Sequence, residues 1–206
     1  MILKYRDSRF YSATPDRCYR TIKVPMNVVH PDATFQRRAV LDNPNGLREI
    51  IMPIKEVDPA FKVWLKSLGL EITLTRLFVT VAGFQYNRHV DRHGFNDQSV
   101  ALNFAFEDAG TVFSWHNLKK GCKIDVRLND NKVPVWYFNA DNCVDAFTEE
   151  IQHEVNQPFL VNTGYIHSLK VGHLNRYCYS YFLKRPGDSK ALQWDDALVH
   201  FKDYII

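Results

Sequence analysis

His89 and Asp91 stand two residues apart, downstream of an apolar, β-branched run from Ile72 to Val81. In an extended strand, side chains i and i+2 share a face. That spacing aims an imidazole and a carboxylate at one point. A second imidazole from elsewhere completes the 2-His-1-carboxylate set, which leaves open positions for non-haem Fe(II) oxygen chemistry. His167 is the candidate, within Val161-Asn162-Thr163-Gly164-Tyr165-Ile166-His167-Ser168-Leu169. A His-x-Asp by itself is common in solvated loops, so the assignment depends on what converges with it.

Nine residues beyond His167, Arg176 opens the segment Tyr177-Cys178-Tyr179-Ser180-Tyr181-Phe182-Leu183. By the period of two, Arg176, Cys178 and Ser180 share a face. An arginine projecting into an apolar barrel needs an anionic partner, because a buried unpaired charge is costly. A guanidinium grips a carboxylate in a bidentate fork, and a nearby hydroxyl such as that of Ser180 adds a bond. Metal ligands with a carboxylate-binding arginine deeper down describe a site for a keto acid.

The elements that must position these residues are mostly strands. Strand-like segments run over Ile72–Val81, Phe84–Asp91, Ser99–Phe106, Thr111–Trp115, Val133–Phe138, Val144–Phe147, Ile151–Val155, Phe159–Asn162, Ile166–Lys170 and Tyr177–Leu183. Ser99–Phe106 and Thr111–Trp115 are spaced as a hairpin. Asp58-Pro59 supplies an N-cap with proline at the first helical position, and Phe61, Trp64, Leu65 and Leu68 follow at helical spacing. This predicts a helix over 59–68 ended by Gly69, with Trp64 in the core. Residues 1–50 read as short strands and loops outside the core, with a turn at Asn43-Pro44-Asn45-Gly46. The tail from Ala191 is spaced for a docking helix. Many short strands argue a mainly β jelly roll rather than a βαβ fold.

Composition narrows the classes. The 206 residues suit a single domain, with a core at about 71–185 between an N-terminal flank (1–70) and a tail (186–206). Aromatic residues make up 14%, favouring a β-rich core. The net charge of +3, with no clustered basic run, gives no reason to expect nucleic acid. No apolar run reaches membrane-spanning length. Cys18, Cys122, Cys143 and Cys178 show no Cys-x-x-Cys spacing, and reduced thiols in a cytoplasmic protein are expected.

His89-Val90-Asp91, Val100-Ala101-Leu102-Asn103-Phe104, Phe159 to Leu169 and Arg176 to Phe182, in that order, resemble the 2-oxoglutarate/Fe(II)-dependent dioxygenase superfamily. The aspartyl/asparaginyl-hydroxylase-like or phage-type branch comes nearest, and the resemblance covers about residues 75–185. It implies a double-stranded β-helix of the cupin kind with a few flanking helices, binding Fe(II) and 2-oxoglutarate. His89, Asp91 and His167 would be the metal ligands. Arg176 would take the distal carboxylate, with Ser180 a helper and Asn103 and Tyr86 further co-substrate contacts. The implied activity is hydroxylation by O2 of a small-molecule or peptide substrate. The step from His167 to Arg176 is slightly short for this pattern, and a slip of one residue would turn the guanidinium out of the barrel.

Three rivals stand beside this reading: a cupin-like metal protein that does not use 2-oxoglutarate, a non-catalytic jelly-roll binding module, and a zinc hydrolase. His116 and Trp115, at a strand end, are candidates for meeting substrate. His153 and His173 read as surface residues, and His30, His93 and His200 have no claim as ligands.

Overall fold

The computed structural model describes residues 13–26, 46–90, 99–106, 110–118, 125–128, 134–137, 144–152 and 158–206. In chain order the elements are α1 (Pro15–Cys18), β1 (Tyr19–Thr21), β2 (Leu47–Met52), a 3-10 turn (Ile54–Glu56) and α2 (Pro59–Ser67). Then come β3 (Glu71–Thr80), β4 (Gln85–Val90), β5 (Val100–Phe106), β6 (Val112–Leu118), β7 (Asp125–Leu128) and β8 (Pro134–Tyr137). β9 (Val144–Gln152), β10 (Phe159–Asn162), β11 (His167–Lys170), β12 (Arg176–Lys184) and α3 (Trp194–His200) complete the chain.

The strands form two antiparallel six-stranded sheets, a major one in the order β1-β10-β5-β12-β3-β2 and a minor one in the order β7-β8-β4-β11-β6-β9. From β3 to β6, and again from β9 to β12, consecutive strands alternate between the sheets. That alternation is the winding of a double-stranded β-helix, so the chain is a mainly β jelly roll.

The winding corrects one expectation. β5 and β6 are adjacent in sequence but do not pair: β5 lies between β10 and β12, while β6 lies between β11 and β9. The turn around Gly110 (φ 71) therefore carries the chain from one sheet to the other rather than closing a hairpin. Two further readings change. The separate segments at 144–147 and 151–155 are one strand through Gln152, and residues 47–52 form an edge strand of the major sheet rather than packing outside it. β1 likewise extends that sheet at its other edge.

Both faces of the major sheet are covered. On the outer face, Leu77, Val79, Leu102, Phe104, Tyr179 and Tyr181 pack under α2 and α3. α2 begins where Asp58 Oδ1 accepts from Ala60 N (2.7 Å) and Phe61 N (3.3 Å), and it turns Phe61, Trp64 and Leu65 inward. Gly69, at φ 71, supplies the left-handed residue after the helix. Phe61 stands edge-on to Tyr181 at 5.0 Å between ring centroids, and Trp64 meets Tyr204 at 5.2 Å. His200 Nδ1 reaches Leu68 O at 2.7 Å, fixing the C-terminal tail to the end of α2. Between the sheets a smaller cluster of Cys18, Phe113, Trp115, Phe159, Tyr165 and Cys178 fills part of the barrel. The remainder is a cavity.

Candidate functional site

The cavity has a volume of about 370 Å³ and is walled by both sheets. β12 contributes Arg176, Cys178, Ser180 and Phe182, every second residue, as a pleated strand must. β3 contributes Leu74, Arg76, Phe78 and Thr80 by the same rule. From the minor sheet come Tyr86, His89, Phe113, His167 and Leu169.

His89 and His167 face each other in register across β4 and β11, with ring centroids 4.3 Å apart. Both are buried. The Nδ1 of each lies against a backbone carbonyl two residues earlier, His89 to Asn87 O at 2.7 Å and His167 to Tyr165 O at 2.9 Å. With Nδ1–H donating there, the lone pair falls on Nε2, the tautomer that metal-binding histidines use, held by a bond from the other ring nitrogen. The corner before His167 is held by its own side chains. Asn162 Oδ1 accepts from Gly164 N (3.1 Å), Asn162 Nδ2 donates to Arg17 O (3.1 Å), and Thr163 Oγ1 donates to Ser99 O (3.0 Å).

A bulge brings Tyr86 to the same wall. His89 is opposite His167 and Tyr86 opposite Leu169, so β4 uses one more residue than β11 over that interval. Strict alternation would put Tyr86 and His89 on opposite faces. The extra residue aligns them, and their rings meet edge to face at 4.3 Å.

Asp91 lies outside the described residues, one position past the end of β4. Among the described residues no three His, Cys, Asp or Glu side chains converge as a metal set. The described part of the candidate ligand set is therefore the imidazole pair.

Arg176 is 2% exposed and faces the cavity, its guanidinium 5.8 Å from the Phe113 ring centroid. The register is thus the one that turns it inward. Phe113 also stacks near His167 (6.1 Å, 22°), so one aromatic ring backs both residues. Across from Arg176 in β3 is Thr80, fully buried, whose Oγ1 has no hydrogen-bond partner among the described residues. Spacing within the sequence could not find Thr80. Its only signal is the strand register that sets it opposite the arginine.

The two ends of the cavity follow from the connection between β11 and β12. The turn at 171–175 is tied to the bend after β3 by Gly83 N to Gly172 O (2.8 Å), Val171 N to Phe84 O (2.8 Å) and Ala82 N to Asn175 Oδ1 (3.0 Å). Arg176 leaves this closed end level with Leu169 and Lys170. His167 is therefore about 7–10 Å further along, level with Cys178 to Ser180.

Asn103 and Ser180 are paired in register and line the cavity at the level of the histidines. Asn103 Oδ1 is buried without a hydrogen-bond partner among the described residues. Trp115 and His116 are not among the described residues lining the cavity. Trp115 belongs to the cluster between the sheets, and His116 Nε2 pairs with Ser168 Oγ at 2.8 Å. Burial, with the Arg88 guanidinium adding positive charge, pushes the His116 pKa down to about 4. Among the other histidines His173 is exposed; His30, His93 and His153 lie outside the described residues. Cys18 and Cys178 are buried, while Cys122 and Cys143 lie outside the described residues.

No protein-family model matches the sequence, and no curated protein matches it. Among solved structures, the chain is similar to a prolyl-4-hydroxylase from Pseudomonas putida, with 15% identity over 82% of this chain and 92% of that one, at a TM-score of 0.47. ThoJ, a non-heme monooxygenase in complex with nickel, is 13% identical over 90% of this chain and 82% of its own, at 0.41. The coconut allergen cocosin is 13% identical over 83% of this chain and 33% of its own, at 0.36. Proteins with such different names share this likeness, so the case for function rests on the cavity.

Proposed function

We propose that the chain is a non-haem Fe(II), 2-oxoglutarate-dependent oxygenase that hydroxylates a small molecule. The observation that carries this is the in-register pair His89–His167, with Nδ1 of each at a backbone carbonyl, on the wall that also presents Arg176. His89 and His167 would supply two nitrogen ligands through Nε2. Asp91, two residues after His89, would supply the carboxylate that completes a facial triad. Iron held there with 2-oxoglutarate would supply O2-dependent oxidation, in which substrate C–H, O2 and 2-oxoglutarate give substrate C–OH, succinate and CO2.

The chain's own residues do the rest. Arg176 grips the distal carboxylate at the closed end, and the Thr80 hydroxyl gains a partner by donating to it. The distance along the strand from Arg176 to the histidine level suits a five-carbon diacid reaching back with its keto acid end. Phe113, Phe78, Phe84 and Leu169 form the apolar wall that keeps water from the reacting atoms. A pocket near the lower end of the usual size range accommodates this co-substrate and one small partner. Among the described residues no helix is long and apolar enough to cross a membrane.

The test is succinate release from 2-oxoglutarate with Fe(II) under air. Wild type should turn over, His89→Ala and His167→Ala should not, and Arg176→Gln should need far more 2-oxoglutarate. Metal binding that survives with no response to 2-oxoglutarate would instead favour a cupin-like metal protein of other chemistry.

A further inference from the structure

Beyond the histidines, the cavity carries a second charged pair that neither metal nor keto acid uses. Arg76 and Glu49 both line it, with Arg76 Nε 3.0 Å from Glu49 Oε1. The approach is too oblique for a hydrogen bond, and Nε is buried without one. The guanidinium lies 5.2 Å from the Phe182 ring centroid, which holds its plane in place. Their side chains are 19% and 30% exposed, so the pair is not sealed in the core.

The register places this pair relative to the chemistry. Arg76 is opposite Ser180, and Ser180 is opposite Asn103. Asn103, Ser180 and Arg76 therefore form one row across three strands of the major sheet, at the level of the histidine pair. Arg176 and Thr80 lie four residues away along the same strands, about 13 Å toward the closed end. The Asn103 amide sharpens the point. Its Oδ1 accepts hydrogen bonds and has none, whereas a keto diacid offers only acceptors. A donor on a bound molecule would satisfy it.

From this arrangement, and resting on the oxygenase reading above, we infer that the substrate is a free α-amino acid whose side chain ends in an N–H or O–H donor. A positive and a negative side chain 3.0 Å apart present a neutral, dipolar wall. A zwitterion is complementary to it: the carboxylate forks onto the Arg76 Nη atoms and the α-ammonium faces Glu49, leaving no charge uncompensated. A ligand carrying only one of these charges meets only one end of that dipole. From that anchor the substrate side chain runs over Ser180 to Asn103, past the histidines, where its carbons are presented for hydroxylation.

The test is calorimetric titration of the full chain, loaded with Mn(II) and 2-oxoglutarate, using the twenty free L-amino acids. Any that bind are then repeated as their N-acetyl and methyl ester forms. A free amino acid with a donor side chain should bind, and either cap should weaken it about tenfold or more, the loss of one charge-assisted contact. Arg76→Met and Glu49→Gln should each do the same, Arg76→Lys should recover part of the loss, and Asn103→Leu should erase the preference for donor side chains. None of the four should change 2-oxoglutarate affinity, which also reports that the variants are folded. The inference is overturned if no free amino acid binds, if capped forms bind equally well, or if Arg76→Met leaves binding intact. Failure of 2-oxoglutarate to bind wild type while an amino acid still does would remove the oxygenase reading and leave this site standing.

Discussion

The two faces of β12 divide the work of the molecule. Outward, Tyr177, Tyr179, Tyr181 and Leu183 pack under the helices; inward, Arg176, Cys178, Ser180 and Phe182 line the cavity. Nearly all these residues are buried to the same degree, so burial does not separate them. Chemistry does. The outer face is apolar body with polar tips, and its aromatic rings interlock. The inner face contains a guanidinium and a hydroxyl, groups that cost free energy to bury and that an apolar core would not carry. Across the strand the same split recurs, with Leu77 and Val79 outward and Arg76 and Thr80 inward. One set packs the fold, and the other lines the cavity where we propose a ligand binds.

Changes on the two faces should therefore separate stability from binding. The largest effect expected is at the imidazole pair. His167→Ala should abolish metal-dependent turnover while leaving the melting temperature nearly unchanged. On the outer face Phe61→Ala, which empties the contact with Tyr181 and Phe104, should cost about 3–5 kcal/mol in denaturant unfolding. If Phe61→Ala instead weakened 2-oxoglutarate binding without loss of stability, the division would be wrong.

Acid should act through His116, which is buried on the minor sheet. Its pKa falls from 6.5 to about 4 on folding, so between those values the unfolded chain binds more protons. The stability conferred by the neutral ring is complete above about pH 6.5 and is lost as pH falls toward 4, on the order of 2–3 kcal/mol in all. His116→Gln should flatten that limb of the pH–stability curve. Next, Arg176→Gln should weaken 2-oxoglutarate about 10–100-fold, the worth of a charged hydrogen-bonded contact, with little change in melting. The smallest effect is at Thr80: Thr80→Val removes an unpartnered buried hydroxyl, so the fold should be no less stable, while 2-oxoglutarate affinity drops a few-fold.

The split also explains what could be read from the sequence. Helix α2 carries its own signals, with Asp58 and Pro59 at one end and Gly69 at the other, and it lies where they put it. β3 and β12 are long and alternate cleanly, so the shared face of Arg176, Cys178 and Ser180 was legible from period alone. Contacts set by register were not. A short connection between β5 and β6 looks the same whether it closes a hairpin or crosses between sheets, because the choice is made by β10, β11 and β12 far along the chain. The bulge that puts Tyr86 beside His89 leaves no mark in the local pattern. Thr80 and the Arg76–Glu49 pair face the cavity through β3 and the edge strand β2, whose sequence Leu47-Arg48-Glu49-Ile50-Ile51-Met52 alternates too weakly to declare a face. Histidine identity and order suggested a chemistry to propose; strand pairing decided which side chains surround the imidazole pair.

The central claim is that metal and keto acid share one site spanning His89, His167 and Arg176. Calorimetric titration of 2-oxoglutarate into the protein, with and without Mn(II), tests it most directly in wild type, His167→Ala and Arg176→Gln. The account predicts binding that requires the metal, is lost in His167→Ala, and is weakened but still metal-dependent in Arg176→Gln. Binding that ignores the metal, or that survives both substitutions unchanged, would contradict it.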